Sequence, residues 1–91
     1  MAKLAIGLIE TRGIVPAIAA TDVALKAANV TYVGTRMAGS GLVSVHLEGD
    51  VAAIRTATEA GAAAGAQLGE VVSVEVLSRP HDEVDKVIPK L

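Results

Sequence analysis

The apolar side chains of this sequence are almost all small and aliphatic, which limits the core that a single chain can build. Hydrophobic residues make up 52% of the 91 residues, yet Phe and Trp are absent and Tyr32 is the only aromatic residue. A buried aromatic ring contributes about 150–250 Å², and a chain this short hides only about three fifths of its unfolded surface when it folds alone. We therefore expect one domain over residues 1–91 that associates with copies of itself.

Charge and cysteine content exclude several classes of function. Lys and Arg total 8 and Asp and Glu total 10, so the formal net charge of -2 provides no field that attracts nucleic acid. Cysteine is absent, which excludes disulfides and thiolate metal sites. No apolar run approaches the ~18 residues that a membrane span needs. We expect a soluble cytoplasmic protein that binds neither nucleic acid nor membranes.

Hydrophobic periodicity and turn residues predict seven elements in the order βαββαβα. The first six match the split βαβ pattern of a ferredoxin-like α+β sandwich. The predicted strands are 3–9, 30–37, 42–48 and 71–77, and the predicted helices are 14–28, 51–67 and a short C-terminal one within 79–88.

Two features of these elements predict close contacts. The predicted strands carry apolar residues on both faces, so Ala5 and Ile9 of the first strand and Leu77 of the fourth are expected to require partners from neighbouring subunits. The second helix contains a tract of Ala and Gly over residues 60–66, including Gly61, which allows another backbone to approach closely.

No pattern of residues assembles a catalytic or metal site. His46 and His81 are the only histidines, and no metal-ligand spacing links them. His46 is therefore expected to be an exposed or hydrogen-bonded strand residue. Asp50 stands where a helix N-cap is wanted and Glu48 ends a strand, so this carboxylate pair does not predict acid–base catalysis. We expect no enzymatic activity, no metal and no cofactor.

A glycine-rich segment, Gly39, Ser40 and Gly41, joins two predicted strands. A phosphate loop would open a helix, whose dipole and free amides hold the anion, and these are missing here. We interpret the segment as a hairpin turn with glycine at positive φ. The residues alone leave two functions open, a regulatory small-molecule-binding oligomer and a structural tile.

Several motifs in order resemble the single-domain hexameric shell proteins of bacterial microcompartments, most of all the propanediol- and ethanolamine-utilisation types. The resemblance covers nearly the whole chain, and its motifs are the segments 7–13, 19–30, 33–34, 39–43, 49–51, 57–64 and 79–81. It implies a βαββαβ fold with a short C-terminal helix. It also implies cyclic hexamers that tile edge to edge into a shell around metabolic enzymes.

The resemblance further implies roles for individual residues. Residues expected at the contact between hexamers are Lys26, Asn29 and Arg79. Residues expected to line a central pore for small polar metabolites are Ala38, Gly39, Ser40 and Gly41.

The sequence departs from common family forms beside this pore. Met37 and Ala38 stand where a lysine and a larger aliphatic residue are common, so little fixed positive charge is expected there. The expected protein is a non-enzymatic shell hexamer of a cytoplasmic microcompartment. Its partners would be other shell proteins and encapsulated enzymes, and a regulatory ligand-binding oligomer is the alternative.

Overall fold

A computed structural model of the chain describes residues 4–78, which contain four strands and two helices. They are β1 (Ala5–Arg12), α1 (Ile14–Ala27), β2 (Thr31–Gly39), β3 (Leu42–Gly49), α2 (Val51–Leu68) and β4 (Glu70–Leu77). The predicted βαββαβ order is confirmed. The expected C-terminal helix and Arg79 lie outside the described residues.

The four strands form one antiparallel sheet in the order β2-β3-β1-β4. Strand β3 lies between β1 and β2, which is the split arrangement of a ferredoxin-like sandwich. Ile9 of β1 pairs with Val45 of β3 and Val74 of β4. Because side chains alternate along a strand, Ile9 faces the helices. Leu8 and the residues paired with it, His46 of β3 and Glu75 of β4, point to the opposite face.

The core lies between the sheet and the two helices and is built mostly from small residues. Ala5 and Ile9 belong to it and are only 3% and 0% exposed, so the prediction that they require partners from other subunits is wrong. They face α2, where Gly61 leaves room for Ile9: a Cβ on Gly61 would lie 3.1 Å from the Ile9 Cδ1. Leu77, in contrast, is exposed.

Helix α1 buries three of its five alanines and exposes most of its larger apolar side chains. Ala17, Ala20 and Ala24 are buried against α2 and the sheet, together with Pro16. Four larger apolar residues of the same helix are 41% to 61% exposed, and we call them the α1 ridge: Ile14, Val15, Ile18 and Leu25. The surplus apolar surface of the chain therefore includes this helix.

The alanine face is buried because α1 and α2 approach each other very closely. A Cβ on Gly61 would lie 2.6 Å from the Ala20 carbonyl oxygen, and a Cβ on Gly65 would lie 3.0 Å from the Pro16 carbonyl oxygen. Only glycine fits at these two positions of α2 without moving a backbone. The close approach predicted from the tract of Ala and Gly is confirmed.

Replacing Gly61 with Ala should destabilise the fold, although alanine is favoured over glycine in a helix by about 1 kcal/mol. The new methyl group must push the α1 backbone away, and overpacking of this kind costs about 1–3 kcal/mol. The measurement is the melting temperature at fixed protein concentration. Ala63→Gly at an exposed position of α2 is the control for propensity alone. A higher melting temperature for Gly61→Ala would contradict the close contact.

Candidate functional site

Strands β2 and β3 meet in a tight hairpin turn. Ser40 and Gly41 form the turn with φ values of 55° and 78°, which is the left-handed pair of a type I′ turn. Gly39 also has a positive φ, 84°, and the pairing of β2 with β3 shifts register between Met37 and Gly39. The predicted hairpin with glycine at positive φ is confirmed.

The four residues expected in the pore lie together at the end of this hairpin, which we call the hairpin tip: Ala38, Gly39, Ser40 and Gly41. All four are exposed. A Cβ on Gly39 or Gly41 would meet no atom within 4 Å. The hairpin tip is therefore a short exposed segment with small side chains, and backbone contacts join it to the rest of the domain.

The residues that attach the hairpin tip to the domain were missed in the sequence. The Gly13 amide donates a hydrogen bond to the Gly41 carbonyl oxygen at 2.7 Å. The Thr11 hydroxyl in turn donates to the Gly13 carbonyl oxygen at 3.0 Å. Gly13 could have been singled out because it directly precedes a predicted helix. Its hydrogen-bond partner, Gly41, is 28 positions away in the sequence and could not be recognised from a short pattern.

Lys26 and Asn29, two of the residues expected between hexamers, lie at the opposite end of α1 from the hairpin tip. Lys26 is exposed in the last turn of α1, and its Nζ lies 2.9 Å from the Asp22 Oδ2. The acid precedes the base by four residues, which is the favourable order on a helix. Asn29 is exposed just beyond the helix. The 14 residues of α1 separate the two groups by about 20 Å.

Apolar grooves border the α1 ridge on both sides. One lies between α1 and β2 and is lined by Ile14, Ile18 and Tyr32. The other is lined by Val15, Ile18 and Leu68. The ridge and its grooves form a mainly apolar surface along α1, at which Asp22 is the charged residue that lines both grooves.

The carboxylates make separate structural contacts. Asp50 accepts a hydrogen bond from the Ala52 amide at 3.2 Å, which confirms the predicted N-cap of α2. Glu10 accepts from the Ser44 hydroxyl at 3.1 Å across the sheet. Glu70 pairs with Arg12 at 3.1 Å, where both side chains are exposed. These three acids thus have separate local contacts, and no two of them meet in one site.

His46 differs from its prediction as an exposed or hydrogen-bonded residue. It is buried, and neither ring nitrogen has a hydrogen-bond partner within residues 4–78. Val45 and Leu47 face the helices, so strand alternation places His46 on the other face, beside Leu8 and Gly34.

Within the described part of the chain, no three His, Cys, Asp or Glu residues are arranged to hold a metal ion. Neither α1 nor α2 is long and apolar enough to cross a membrane.

Comparison with known proteins identifies the family. The model of the BMC domain matches residues 5–80. The chain is 50% identical over 90 residues to the bacterial microcompartment shell protein PduA of Citrobacter freundii, an alignment that covers 99% of this chain and 97% of that protein. It is 51% identical over 85 residues to the bacterial microcompartment shell protein EutM of Salmonella typhimurium, with 93% and 88% covered.

A solved structure agrees with these sequence matches. A microcompartments protein from Desulfitobacterium hafniense has a TM-score of 0.81 and 34% identity to this chain. The match covers 91% of this chain and only 45% of that one, so the chain spans less than half of its length. The curated relatives carry the names of shell proteins and not of enzymes, in agreement with the expected non-enzymatic role. The chain belongs to the BMC-domain family, as the resemblance in its motifs predicted.

Proposed function

We propose that this chain forms cyclic hexamers that tile edge to edge into the shell of a cytoplasmic bacterial microcompartment, with a central pore for small polar metabolites. The observation that carries the proposal is 50% identity to a shell protein over 90 residues, nearly the whole of both chains. Further hexamers and other shell proteins would be its partners, and the encapsulated enzymes would lie inside the shell.

The α1 ridge supports self-association. Its four apolar side chains stand on a domain whose own core contains no aromatic residue among the ten of its central cluster. Exposed apolar side chains clustered on one helix in this way favour an interaction surface. In a cyclic ring, this surface on one subunit meets a different surface on the next, because the contact is heterologous. We assign the α1 ridge to the contact within the ring.

The exposed end of α1 supports a role in tiling. Among residues 4–78, Lys26 is bound only by the exposed Asp22, and an exposed ion pair contributes about 0–1 kcal/mol. The ammonium group is therefore easily redirected to acceptors on a neighbouring hexamer. Asn29 lies close by in the sequence and adds a donor and an acceptor.

The hairpin tip supports the pore. Its small residues permit several copies to converge on one axis without steric conflict. The Ser40 hydroxyl and the exposed backbone groups can replace part of the hydration of a polar metabolite, which an apolar molecule does not need. Met37 beside the tip is uncharged and the tip itself contains no basic side chain, so we expect only a mild preference for anions, which falls as salt is added.

The wild-type chain should sediment as an oligomer at micromolar concentration. Ile18→Glu should shift it toward smaller species, because a charge at the centre of the α1 ridge is costly to bury. Ala63→Glu, at an exposed position of α2, is the matched control and should leave the oligomer intact. The measurement is analytical ultracentrifugation. A stable folded wild-type monomer at this concentration would contradict the hexamer.

Lys26→Asp should abolish flat sheets while hexamers persist. The change places a second acid beside Asp22 and removes a donor from a repeated contact, at a cost of about 1–3 kcal/mol per contact. Electron microscopy reports the sheets, and size-exclusion chromatography reports the hexamers.

Asp22→Asn is the control for Lys26, because it breaks the same ion pair within the chain and leaves the lysine in place. Sheets should survive this change. Unaltered sheets of Lys26→Asp, or its dissociation to monomers, would show that Lys26 does not act between hexamers.

Ser40→Leu should lower the flux of a small polar metabolite several-fold without dissociating the hexamer. The leucine side chain narrows the proposed pore and removes a hydroxyl group from its lining. Flux is measured across shells, or across supports covered by sheets. Ser40→Asn is the control, because Asn stays polar and tolerates the left-handed φ found at this position. Equal flux in wild type and Ser40→Leu, with intact hexamers, would rule out a pore at this loop.

A further inference from the structure

The hairpin tip is not held by side-chain packing. At Gly39 and Gly41 there is open space where a side chain would be, and Ser40 between them is exposed. Three consecutive residues, 39 to 41, have left-handed backbone conformations. Beneath the tip is an open apolar groove lined in part by Met37 and Leu42. The position of the tip is therefore set by backbone hydrogen bonds and not by contacts of its side chains.

The β1–β3 ladder runs to the pair Arg12 and Leu42, and one further backbone hydrogen bond continues it to the hairpin tip. The Gly13 amide donates to the Gly41 carbonyl oxygen at 2.7 Å. The bond joins the end of β1 to the end of the hairpin. The position of Gly41, and with it the position of Ser40, therefore depends on where the Gly13 amide is directed.

Gly13 has a backbone conformation that other residues rarely adopt. Its φ and ψ are 95° and 160°, in a region essentially restricted to glycine. A Cβ at Gly13 would meet no atom within 4 Å. The glycine is therefore required by its backbone conformation, which directs the amide to Gly41, and not by lack of space.

Thr11 fixes the other side of Gly13. Thr11 is 0% exposed and lies near the end of β1. Its hydroxyl donates a hydrogen bond to the Gly13 carbonyl oxygen at 3.0 Å. Strands β3 and β4 hold Thr11 through its pairing with Val43 and Val71. The contacts thus run from the centre of the sheet through Thr11 and Gly13 to Gly41 at the hairpin tip.

We infer that Thr11 and Gly13 are positioning residues that set the opening of the pore by fixing the hairpin tip. The inference rests on the proposed pore. Since a ring carries one hairpin tip per subunit, a small displacement of each would change the opening from every side at once.

The test compares Thr11→Val with Thr11→Ser. Valine keeps the buried shape and removes the hydroxyl, while serine keeps the hydroxyl, so only serine should rescue the contact. The first readout is hydrogen exchange of the Gly13 amide by NMR on intact rings. We expect Thr11→Val to accelerate this exchange about fivefold to thirtyfold, the factor that corresponds to one lost hydrogen bond.

The second readout is metabolite flux. Changed flux in Thr11→Val, restored by Thr11→Ser, supports the inference. Gly13→Ala provides an independent check, because the alanine is disfavoured by the backbone conformation alone. It should also accelerate hydrogen exchange of the amide at position 13. Exchange of Gly13 at the wild-type rate in Thr11→Val would overturn the positioning role.

The experiment also separates this inference from the proposed function. Faster exchange in Thr11→Val with unchanged flux would overturn the link between Thr11 and the pore, provided that Ser40→Leu lowers the flux. Unchanged flux in both Thr11→Val and Ser40→Leu would overturn the pore itself.

Discussion

The contact between α1 and α2 is the constraint on which the remaining structure depends. Gly61 and Gly65 bring α2 against the backbone of α1 near Ala20 and Pro16. At this separation the buried face of α1 consists of Pro16 and three alanines, and its larger aliphatic residues are turned outward. Burial stabilises by about 0.8 kcal/mol per methylene, and an alanine face offers little of it. The close helix pair therefore produces both a modest core and the exposed α1 ridge.

Helix α1 determines the relative positions of the three groups of residues that the proposed function uses. Its first residue follows Gly13, which holds the hairpin tip. Its last turn carries Lys26, and its exposed side carries the α1 ridge. One rigid helix thus fixes the spacing between the proposed pore, the contact within the ring and the contact between rings. A change in the tilt of α1 on α2 would alter all three together.

The sequence predicted what depends on local chemistry. The element order, the cap at Asp50, the positive φ at Gly39 and Gly41, and the close approach at Gly61 were all recognisable from short patterns. Period-two alternation could not show which apolar face of β1 the helices would cover, and Ala5 and Ile9 were therefore assigned to the wrong environment.

Other features depend on contacts between distant segments. In the sequence, the alanines of α1 and the residues of the α1 ridge both recur at helical spacing, and the separation of the two helices decides which set is buried. His46 alternates with Val45 and Leu47 as a strand residue should, yet its burial is set by the sheet as a whole. The attachment of Gly41 to Gly13 links positions far apart in the chain. The roles of Lys26 and Ser40 came from the resemblance to a family.

Tyr32 is the only aromatic residue of the chain, and it borders the groove between α1 and β2. The residue is 43% exposed, so the optical properties of its ring respond to whatever contacts this groove. With no tryptophan to absorb the excitation, near-ultraviolet absorption and fluorescence of the whole protein arise from this one phenol. The molecule therefore carries a natural single-site fluorophore beside the α1 ridge, and its emission records events at that surface without any added label.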